Sequence, residues 1–568
     1  FNLGTEVFKM EKKQYGADVI IDSLRKHGVD LVFGIPGAKI DRLFEGLDGQ
    51  DSEDAPKLIV TRHEQNAVFM AQAYARLTGK TGVAISTSGP GVGNLTTGIM
   101  TANAEGDPIL AIGGQVQRKD LHRLTHQSTP SAEIMAPITR YSAEIQDPNN
   151  ISETMANAFE ASQGAEKGAA FVSLPQDVDD AVVDEQPLPI YEAPKMGPAD
   201  PGELAKLVDL IKHSKLPVIL VGQRGGSAAV ANALHQLLRH YAFPVVETFQ
   251  AAGVVSRDLE DQSYFGRVGL FRNQVGDQLL QQSDLVIAVG YDAIEYEPRN
   301  WNKEDQLRIV NLDTKPAQID NHYTPVMQLV GDLTSSLTQL DQLLSGFSYP
   351  AAAQEQLATY RQQLDRDKQL PTPPAGQQSH PLAAVQAIQE NVTDNMVVSL
   401  DVGSHYIWMA RHFRCYQPRH LLISNGMQTL GVGLPWAMVA AMLHPEQKAV
   451  AVCGDGGFLF SGAELSTAVQ HQLNLVVVVW NDGGHYDMVK FQEEMKYPQA
   501  AGVKFGDCDI VKYAESFGAT GLRVDKPADL NKVMHQAFST DGPVVVDVPV
   551  DYSNNKDLAA HLIDSQLG

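Results

Sequence analysis

Cysteine, positive charge and long apolar runs are all scarce in this sequence. The three cysteines, Cys415, Cys453 and Cys508, lie far apart and follow neither zinc-ligand nor disulfide-framework spacing, so we expect idle thiols. Lysine and arginine together number 44 against 68 aspartates and glutamates, a net charge of −24. That balance argues against a nucleic-acid partner and against binding to an anionic membrane. The apolar run at 473–480 is too short to span a bilayer.

The amino-terminal region also lacks a basic segment followed by an apolar core and a cleavage site, so the sequence predicts a cytoplasmic protein. Met10 is a candidate native start, which would make residues 1–9 an upstream remnant. The 568 residues suffice for about three or four domains. A hydrophobic content of 43% and a charged content of 20% are typical of globular domains with large cores.

Short apolar segments alternate with longer mixed segments along the whole chain, a pattern typical of parallel sheets covered by helices on both faces. The predicted strands lie within residues 30–37, 81–91, 108–114, 169–177, 216–222, 243–249, 284–290, 307–313, 396–403, 448–457, 473–484 and 542–551. Proline-rich connectors interrupt the pattern at 187–203 and 370–381. We therefore predict an α/β fold of three doubly wound parallel-sheet domains, at residues 10–188, 196–346 and 376–558.

Two glycine-containing segments fail the tests for common nucleotide-binding motifs. LTGKTG (77–82) contains the Gly-Lys-Thr of a P-loop, but Tyr74 stands where the first glycine is required, and the segment leads into a strand. GDGGFLF (454–460) misses the dinucleotide pattern because its third glycine would fall at Leu459. Neither segment supports a simple nucleotide site.

The segment VAVCGDGGF (450–458) combines glycines, whose amides can approach an anion closely, with Asp455, which would repel a bare phosphate. A cation between the two resolves the conflict, because Mg²⁺ commonly bridges carboxylates and phosphates. Asp482 follows the next predicted strand and returns to the same sheet edge, and Gly484 offers a backbone carbonyl. The alternative is two unrelated turns, since aspartate and glycine are common turn residues.

The spacing of these residues resembles the cofactor motif of the thiamine-diphosphate-dependent enzymes, usually written GDG…NN. GDG at 454–456 is followed, after twenty-four residues, by Asn-Asp at 481–482. The departure is Asp482, where many members carry asparagine, and its extra negative charge makes the metal more necessary. The resemblance implies thiamine diphosphate held through Mg²⁺, with Asp455, Asp482 and Gly484 as metal ligands.

A second segment, VTRHEQNAVFMA (60–71), resembles the RHE-x-x-A turn of the same family and places Glu64 between a strand and a helix. The resemblance implies that Glu64 is the acid that protonates the aminopyrimidine ring of the cofactor. Such an acid must keep its proton near neutral pH, which requires an apolar, poorly hydrated site. Taken alone, Glu64 is a plain helix-start carboxylate favoured by the helix dipole.

The resemblance extends over nearly the whole chain and indicates the acetohydroxyacid-synthase branch, through residues 33–41, 87–114, 126–128, 171–178, 401–408 and 424–437. It implies contacts of residues 403–405 with the diphosphate, and it implies that Leu430 wedges the cofactor into a bent conformation. The full set of implied cofactor-binding residues is Glu64, Gly403, Ser404, His405, Gln428, Leu430, Gly454, Asp455, Gly456, Gly457, Asp482, Gly484 and Tyr486.

Two further features resemble the catabolic acetolactate synthases, which work without FAD. The segment at 289–302 lacks the RFDDR-like sequence of the FAD-binding biosynthetic synthases, and Gln492 stands where those enzymes place a tryptophan. No FAD is therefore expected. An extra His485 before Tyr486 departs from the family pattern and puts the geometry of the metal loop in doubt.

The resemblance implies that the chain joins two pyruvate molecules, with loss of CO2, to give 2-acetolactate. Glu64, Gln127 and Lys39 are the implied catalytic residues, and Lys39, Gln127 and Gln492 are the implied substrate contacts. A solvated surface lysine is an equally good interpretation of Lys39. Gln492 is open to interpretation as an exposed helix residue without a substrate contact, because sequence position does not fix its direction.

Several alternatives stay open on the sequence. A biosynthetic acetohydroxyacid synthase or a pyruvate oxidase would share the cofactor and require FAD, and a simple decarboxylase would also share the cofactor. A non-catalytic scaffold would tolerate loss of Glu64 or Asp455, and both are present. Because Glu64 and the metal motif lie in different predicted domains, the resemblance implies a homodimer or homotetramer whose active sites lie between chains.

Overall fold

The helices and strands of this computed structural model form three parallel sheets in two units of the chain, residues 1–192 and 193–568. The structure describes residues 13–48, 56–184, 186–190, 194–271, 273–370 and 378–558. Met10 and the predicted domain starts at residues 10 and 376 lie outside the described residues. Within these ranges, no helix combines the length and the apolar character needed to cross a bilayer.

The first unit contains one six-stranded sheet of strand order β2-β1-β3-β4-β6-β5, with every neighbouring pair parallel. Its strands are β1 (Leu31–Ile35), β2 (Lys57–Val60), β3 (Gly82–Ser86), β4 (Ile109–Gln115), β5 (Tyr141–Glu144) and β6 (Ala169–Pro175). Its helices are α1 (Gly16–Lys26), α2 (Asp41–Asp48), α3 (Glu64–Thr78), α4 (Pro90–Ala104), α5 (Ser131–Met135), α6 (Ile151–Gln163) and α7 (Gln176–Asp179).

The second unit begins with a six-stranded parallel sheet of order β12-β11-β10-β7-β8-β9. Its strands are β7 (Pro217–Val221), β8 (Val245–Thr248), β9 (Tyr264–Val268), β10 (Leu285–Val289), β11 (Ile309–Asp313) and β12 (Met327–Val330). The helices are α8 (Pro201–His213), α9 (Ala228–Tyr241), α10 (Glu260–Ser263), α11 (Val275–Gln282), α12 (Pro298–Trp301), α13 (Leu333–Leu343) and α14 (Ala351–Asp367). This is the strand order of dinucleotide-binding folds, with a switch point between β7 and β10.

A third sheet, also in the second unit, has the order β14-β13-β15-β16-β18-β17, which repeats the topology of the first sheet. Its strands are β13 (Val398–Leu400), β14 (Leu421–Leu422), β15 (Ala449–Gly454), β16 (Leu475–Asn481), β17 (Thr520–Arg523) and β18 (Val544–Pro549). Its helices are α15 (Pro381–Asn391), α16 (Ser404–His412), α17 (Gly433–Leu443), α18 (Asp455–Ser461), α19 (Leu465–Gln470), α20 (Asp487–Lys496), α21 (Ile510–Ser516), α22 (Leu530–Ser539) and α23 (Asn555–Leu558).

The central strands are buried on both faces, which explains their near-continuous apolar sequences. β3, β4, β6, β7, β10 and β11 are buried at every position. β5, β12 and β17 escaped the sequence analysis because they are short and partly exposed at sheet edges, so no apolar run marks them. The predicted class, three doubly wound parallel sheets covered by helices, is confirmed, whereas the predicted domain boundaries stay predictions.

Candidate functional site

A cavity of about 280 Å³ lies at the carboxyl edge of the third sheet, where β13 and β15 are neighbours and their connections leave in opposite directions. Ligands of doubly wound folds bind at such a switch point. Most of the predicted cofactor-binding residues of the second unit line this cavity, together with the predicted substrate contact Gln492. They are Gly403, Ser404, His405, Gln428, Leu430, Gly454, Asp455, Gly456, Gly457, Tyr486 and Gln492.

Glycines at 456 and 457 let the backbone approach the cavity because larger residues would collide there. A Cβ atom on Gly457 would lie 2.3 Å from Oδ1 of Asp401, and one on Gly456 would lie 2.9 Å from the Tyr486 ring. α16 begins at Ser404, so its first backbone amides lack partners within the helix and face the same cavity. Amides in this arrangement suit an anionic group such as a diphosphate.

Asp401, at the end of β13, organises the loop that carries Gln428 and Leu430. Its carboxylate accepts hydrogen bonds from the backbone amides of Gly431, at 3.0 Å, and Gly433, at 3.0 Å. Burial raises the pKa of Asp401 to about 6, and the backbone donors oppose that shift. Sequence analysis missed this residue as a positioning group. Its signal was present, as an aspartate directly after a buried strand.

The structure brings Asp455 and Asp482 together, as the sequence predicted. Oδ1 of Asp455 accepts from the Gly456 amide at 2.9 Å, and Oδ2 accepts from the Gly484 amide at 2.9 Å. Oδ1 of Asp482 accepts from the His485 amide at 3.0 Å. The Gly484 carbonyl, the predicted third ligand, accepts from the Phe505 amide at 2.9 Å. Asp482 and Gly484 do not line the cavity, but both contact Asp455, which does. Their metal-ligand roles stay predictions.

The electrostatics of the cavity favour a bound cation. Burial raises the pKa of Asp482 to about 8, and the neighbouring charge of Asp455 raises it further. Burial also raises the pKa of Asp455 and of Asp487. Among the described residues that line the cavity there is no lysine or arginine. A divalent cation would reconcile a diphosphate with these carboxylates, and oxygen ligands of this kind suit Mg²⁺.

His405 supplies a neutral donor or acceptor at the cavity wall. Its side chain is 1% exposed, and burial lowers its pKa to about 3, so the ring is uncharged at neutral pH. The Nε2 atom has no hydrogen-bond partner among the described residues. A buried polar atom without a partner is uncommon, and a ligand in the cavity would provide one.

The first unit contains Glu64, Lys39 and Gln127, which follow β2, β1 and β4 in the chain. These strands are parallel and end at the same edge of its sheet. Glu64 is the first residue of α3 and is partly buried, and its Oε2 accepts from Nδ2 of Asn94 at 2.9 Å. Nζ of Lys39 donates to Gln176 at 3.4 Å. Gln127 has a φ of 61° and accepts from the Ser88 hydroxyl at 3.1 Å. Their catalytic roles stay predictions.

Asp487 and Leu270 are among the cavity residues that had not been singled out from the sequence. Asp487 begins α20, and its Oδ2 accepts from the Ser404 hydroxyl at 3.1 Å and from Nδ2 of Asn555 at 2.7 Å. Its closeness to Asp482 in the sequence was a usable signal. Leu270 reaches the cavity from the connection after β9, in the preceding sheet. No local pattern predicts a contact of that kind.

Three family models and several known proteins match this chain. Residues 14–135 match the N-terminal TPP binding domain of thiamine pyrophosphate enzymes, residues 204–340 match their central domain, and residues 401–548 match their C-terminal TPP binding domain. An acetolactate synthase of Bacillus subtilis (strain 168) is 49% identical over 98% of this chain and 96% of that protein.

The chain belongs to the thiamine-diphosphate enzyme family. A catabolic acetolactate synthase of Raoultella terrigena is 41% identical over 97% of this chain and 98% of its own length. An acetolactate synthase large subunit of Parasynechococcus marenigrum is 31% identical over 95% of this chain and 88% of that protein. The glycine-lined cavity, the buried carboxylate pair and the unpartnered His405 nitrogen all fit the diphosphate and metal of a thiamine-diphosphate enzyme.

Proposed function

We propose that this thiamine-diphosphate enzyme is an acetolactate synthase of the FAD-independent type, which joins two pyruvate molecules to 2-acetolactate and releases CO2. The relatives with 49% and 41% identity carry that name, one of them as the catabolic enzyme. The observation that carries the proposal is the carboxylate pair Asp455–Asp482 beside a cavity whose described lining holds no lysine or arginine. The chain also aligns with those relatives over nearly its whole length.

The proposed roles of the residues follow from their positions. Asp455 and Asp482 hold Mg²⁺, and the amides at the start of α16 and at Gly456 and Gly457 hold the diphosphate. Bound thiamine diphosphate supplies the electron sink for loss of CO2 and the carbon nucleophile for the second pyruvate. Glu64 holds a proton toward the pyrimidine ring.

Gln492 lies on α20, lines the cavity and is partly buried, which favours a substrate contact over a solvated position. It is the residue proposed to contact the second, acceptor substrate. Its side chain is polar and offers no large apolar surface for an extra methyl group, so pyruvate is the proposed acceptor in preference to a longer 2-keto acid.

The absence of FAD is proposed from the middle sheet. The first turn of a dinucleotide-binding fold, here after β7, normally presents its amides to the pyrophosphate. In this chain the Gln223 amide donates to Oε2 of Glu295 at 2.8 Å, and the Thr248 hydroxyl donates to Oε1 of the same carboxylate at 2.6 Å. Glu295 is 2% exposed. The chain's own carboxylate thus takes the place of a phosphate.

Arg224 fills the neighbouring part of the same switch point. Its Nε donates to Oδ1 of Asp313 at 2.9 Å, its Nη1 donates to Asp292, and its Nη2 donates to the Tyr291 carbonyl at 2.6 Å. Asp292 and Glu295 belong to the segment 289–302, which lacks the RFDDR-like sequence. These internal contacts at the switch point support the proposal that the chain works without FAD.

The test is a pyruvate reaction supplied with thiamine diphosphate and Mg²⁺, followed by acidification, which converts acetolactate to acetoin. We expect acetoin in proportion to the CO2 released, and no acetoin from an Asp455→Ala control. Acetaldehyde as the main product would assign a decarboxylase instead.

The flavin proposal has a separate measurement. We expect colourless protein that reaches full activity without added FAD. Stoichiometric flavin in the supernatant after denaturation would assign the oxidase or biosynthetic branch.

A further inference from the structure

A second cavity, of about 530 Å³, lies in the second unit between β9, the end of α14 and the second half of α16. Among the described residues, its lining carries one carboxylate, Asp367, and five cationic side chains, in a chain with a net charge of −24. The five are Arg267, Arg366, Lys368, Arg411 and Arg414. This cavity is separate from the cofactor cavity, and the proposed function does not use it.

Several of these cations are buried with donor atoms left over. Arg267 and Arg414 are 2% and 8% exposed. Nε of Arg267 pairs with Glu247 at 2.9 Å, and Nε of Arg414 pairs with Glu260 at 2.8 Å. Nη2 of Arg267, both Nη atoms of Arg414 and Nε of Arg411 have no hydrogen-bond partner among the described residues. The Arg414 guanidinium also lies over the Tyr264 ring, 3.2 Å from its centroid, and the remaining buried donors call for a ligand or ordered water.

We propose that this cavity binds a small oxyanion with at least two negative charges, either a phosphate or a dicarboxylate. Planar guanidinium groups present paired N–H donors that match the oxygens of phosphate and carboxylate groups. The cavity exceeds the size of one phosphate ion, and the rings of Tyr264 and Trp408 form apolar parts of its wall. An anion with an organic substituent therefore also fits.

The two cavities share α16, which begins at the cofactor cavity with Ser404 and ends at the cationic cavity with Arg411 and His412. Nη2 of Arg411 also donates to the Leu270 carbonyl at 3.3 Å, and the Leu270 side chain lines the cofactor cavity. An anion that draws Arg411 toward itself loosens this contact. Binding at one cavity therefore changes affinity at the other, and the effect is reciprocal.

A second path joins the same two places. Nε1 of Trp408, which lines the cationic cavity, donates to Oδ1 of Asn555 at 2.9 Å. Nδ2 of Asn555 donates to the Ser404 hydroxyl at 2.8 Å. Because both paths end at the cofactor cavity, we expect an anion bound in the cationic cavity to change the KM for pyruvate and not turnover alone.

The experiment measures binding of inorganic phosphate, and in a parallel arm of malonate, to the holoenzyme by titration calorimetry. Thiamine diphosphate and Mg²⁺ are kept saturating, so that the probe does not report on the cofactor cavity. We expect one saturable site, and about tenfold weaker binding in the double variant Arg366→Gln/Lys368→Gln. Both residues lie exposed at the rim, so folding is preserved. The tighter of the two probes identifies the ligand chemistry.

The matched control is Lys206→Gln/Lys212→Gln on α8, which removes the same charge from the same unit away from the cavity. Its binding is expected to equal that of the unchanged protein. Absence of saturable binding, or equal binding by both double variants, would overturn the site. An unchanged KM for pyruvate at saturating anion would overturn the coupling through α16. The binding readout needs no turnover, so its failure is distinct from failure of the proposed function.

Discussion

At the scale of single residues, Asp482 shows how the cofactor site balances charge. It is a carboxylate where many family members carry asparagine; its side chain is 9% exposed, and its neighbour Asp455 is buried. Burial first, and the Asp455 charge second, raise the pKa of Asp482 to about 8. Each carboxyl therefore opposes the ionisation of the other, and a divalent cation bound between them would relieve the repulsion.

A pH-dependent prediction follows for Asp482→Asn. A carboxyl group whose pKa is higher in the folded than in the unfolded protein contributes most to folding stability at low pH. For Asp482 this contribution is complete below its ordinary pKa of about 4 and is lost as the pH rises through its folded pKa of about 8. From pH 6 to pH 9 we expect the metal-free wild type to lose about 1–2 kcal/mol more unfolding free energy than the variant. Urea unfolding at both pH values measures the difference. Parallel losses in the two proteins would contradict the assignment.

Glu64 is the residue on which the proposed proton transfer depends. Glu64→Gln keeps the shape and the hydrogen bond from Asn94 but removes the acid. We expect turnover to fall by about 10² to 10⁴-fold while the affinity for thiamine diphosphate changes little. Steady-state kinetics and cofactor titration separate the two effects. Asn94→Ala is the control that removes the hydrogen bond but keeps the acid, and a Glu64→Gln loss below tenfold would count against the role.

Gln492 is the residue proposed to set the choice of acceptor. One methylene in an apolar pocket is worth about 1–3 kcal/mol, so a single side chain can decide between pyruvate and 2-ketobutyrate. We expect Gln492→Trp to shift the product toward acetohydroxybutyrate in a competition assay with both acids. Gln492→Leu is the control for simple loss of polarity. A product ratio unchanged in the tryptophan variant would remove Gln492 from the pocket.

At the scale of elements, buried charge fixes α3, the helix that begins at Glu64. Nε of Arg76 donates to Asp107 at 2.8 Å, and Nη2 of Arg76 pairs with Glu105. Asp107 also accepts from Nε2 of Gln72 at 2.7 Å. All three charged side chains are at most 4% exposed. The group ties the carboxyl-terminal part of α3 to the entry of β4, at the end of the helix opposite Glu64.

Removing the cation at this point is expected to be costly. Arg76→Leu leaves two buried carboxylates without their partner, which typically lowers the free energy of unfolding by about 3–5 kcal/mol. The exposed pair Arg140–Glu166 offers the control, because Arg140→Leu is expected to cost less than about 1 kcal/mol. Thermal or urea unfolding measures both. Equal losses would show that burial of the Arg76 group does not matter to stability.

At the scale of the whole molecule, Glu64 and the proposed metal ligands belong to different units of the chain. We propose that each active site combines Glu64 of one chain with the Asp455 cavity of a second chain in a homodimer or homotetramer. Exposed apolar side chains support an assembly, for example Phe460, 51% exposed, and Leu459, 38% exposed, on α18 beside the cavity. Contacts of this kind are typical of subunit interfaces.

Complementation tests this assembly directly. Glu64→Gln and Asp455→Ala proteins are each expected to be nearly inactive. If the two residues act across chains, random co-assembly restores one intact site in each mixed dimer, which gives about a quarter of wild-type activity. Mixing after unfolding and refolding together, followed by the acetoin assay, measures the recovery. Activity no higher than in the separate variants would place both residues in one chain, and an active monomer would exclude the assembly.

Much of the fold followed from local sequence. Central strands such as β4 and β16 are runs of apolar residues because both faces are buried, and turn residues mark their ends. Edge strands such as β17 gave no signal, because partial exposure leaves no apolar pattern to detect. The convergence of Asp455 and Asp482 was predictable because the carboxyl ends of neighbouring parallel strands meet at one sheet edge.

The sequence by itself determined the fold class, the cofactor motif and the positions of its carboxylates. Each of these depends on the spacing of residues along the chain or on the pattern of apolar residues within one helix or strand. Only the tertiary structure decided that Asp401 holds the loop of Leu430, that Leu270 reaches the cofactor cavity and that Glu295 occupies the β7 turn. These contacts join residues from about 30 to more than 180 positions apart. Such contacts depend on how whole helices and strands pack together, and no local sequence pattern predicts that packing.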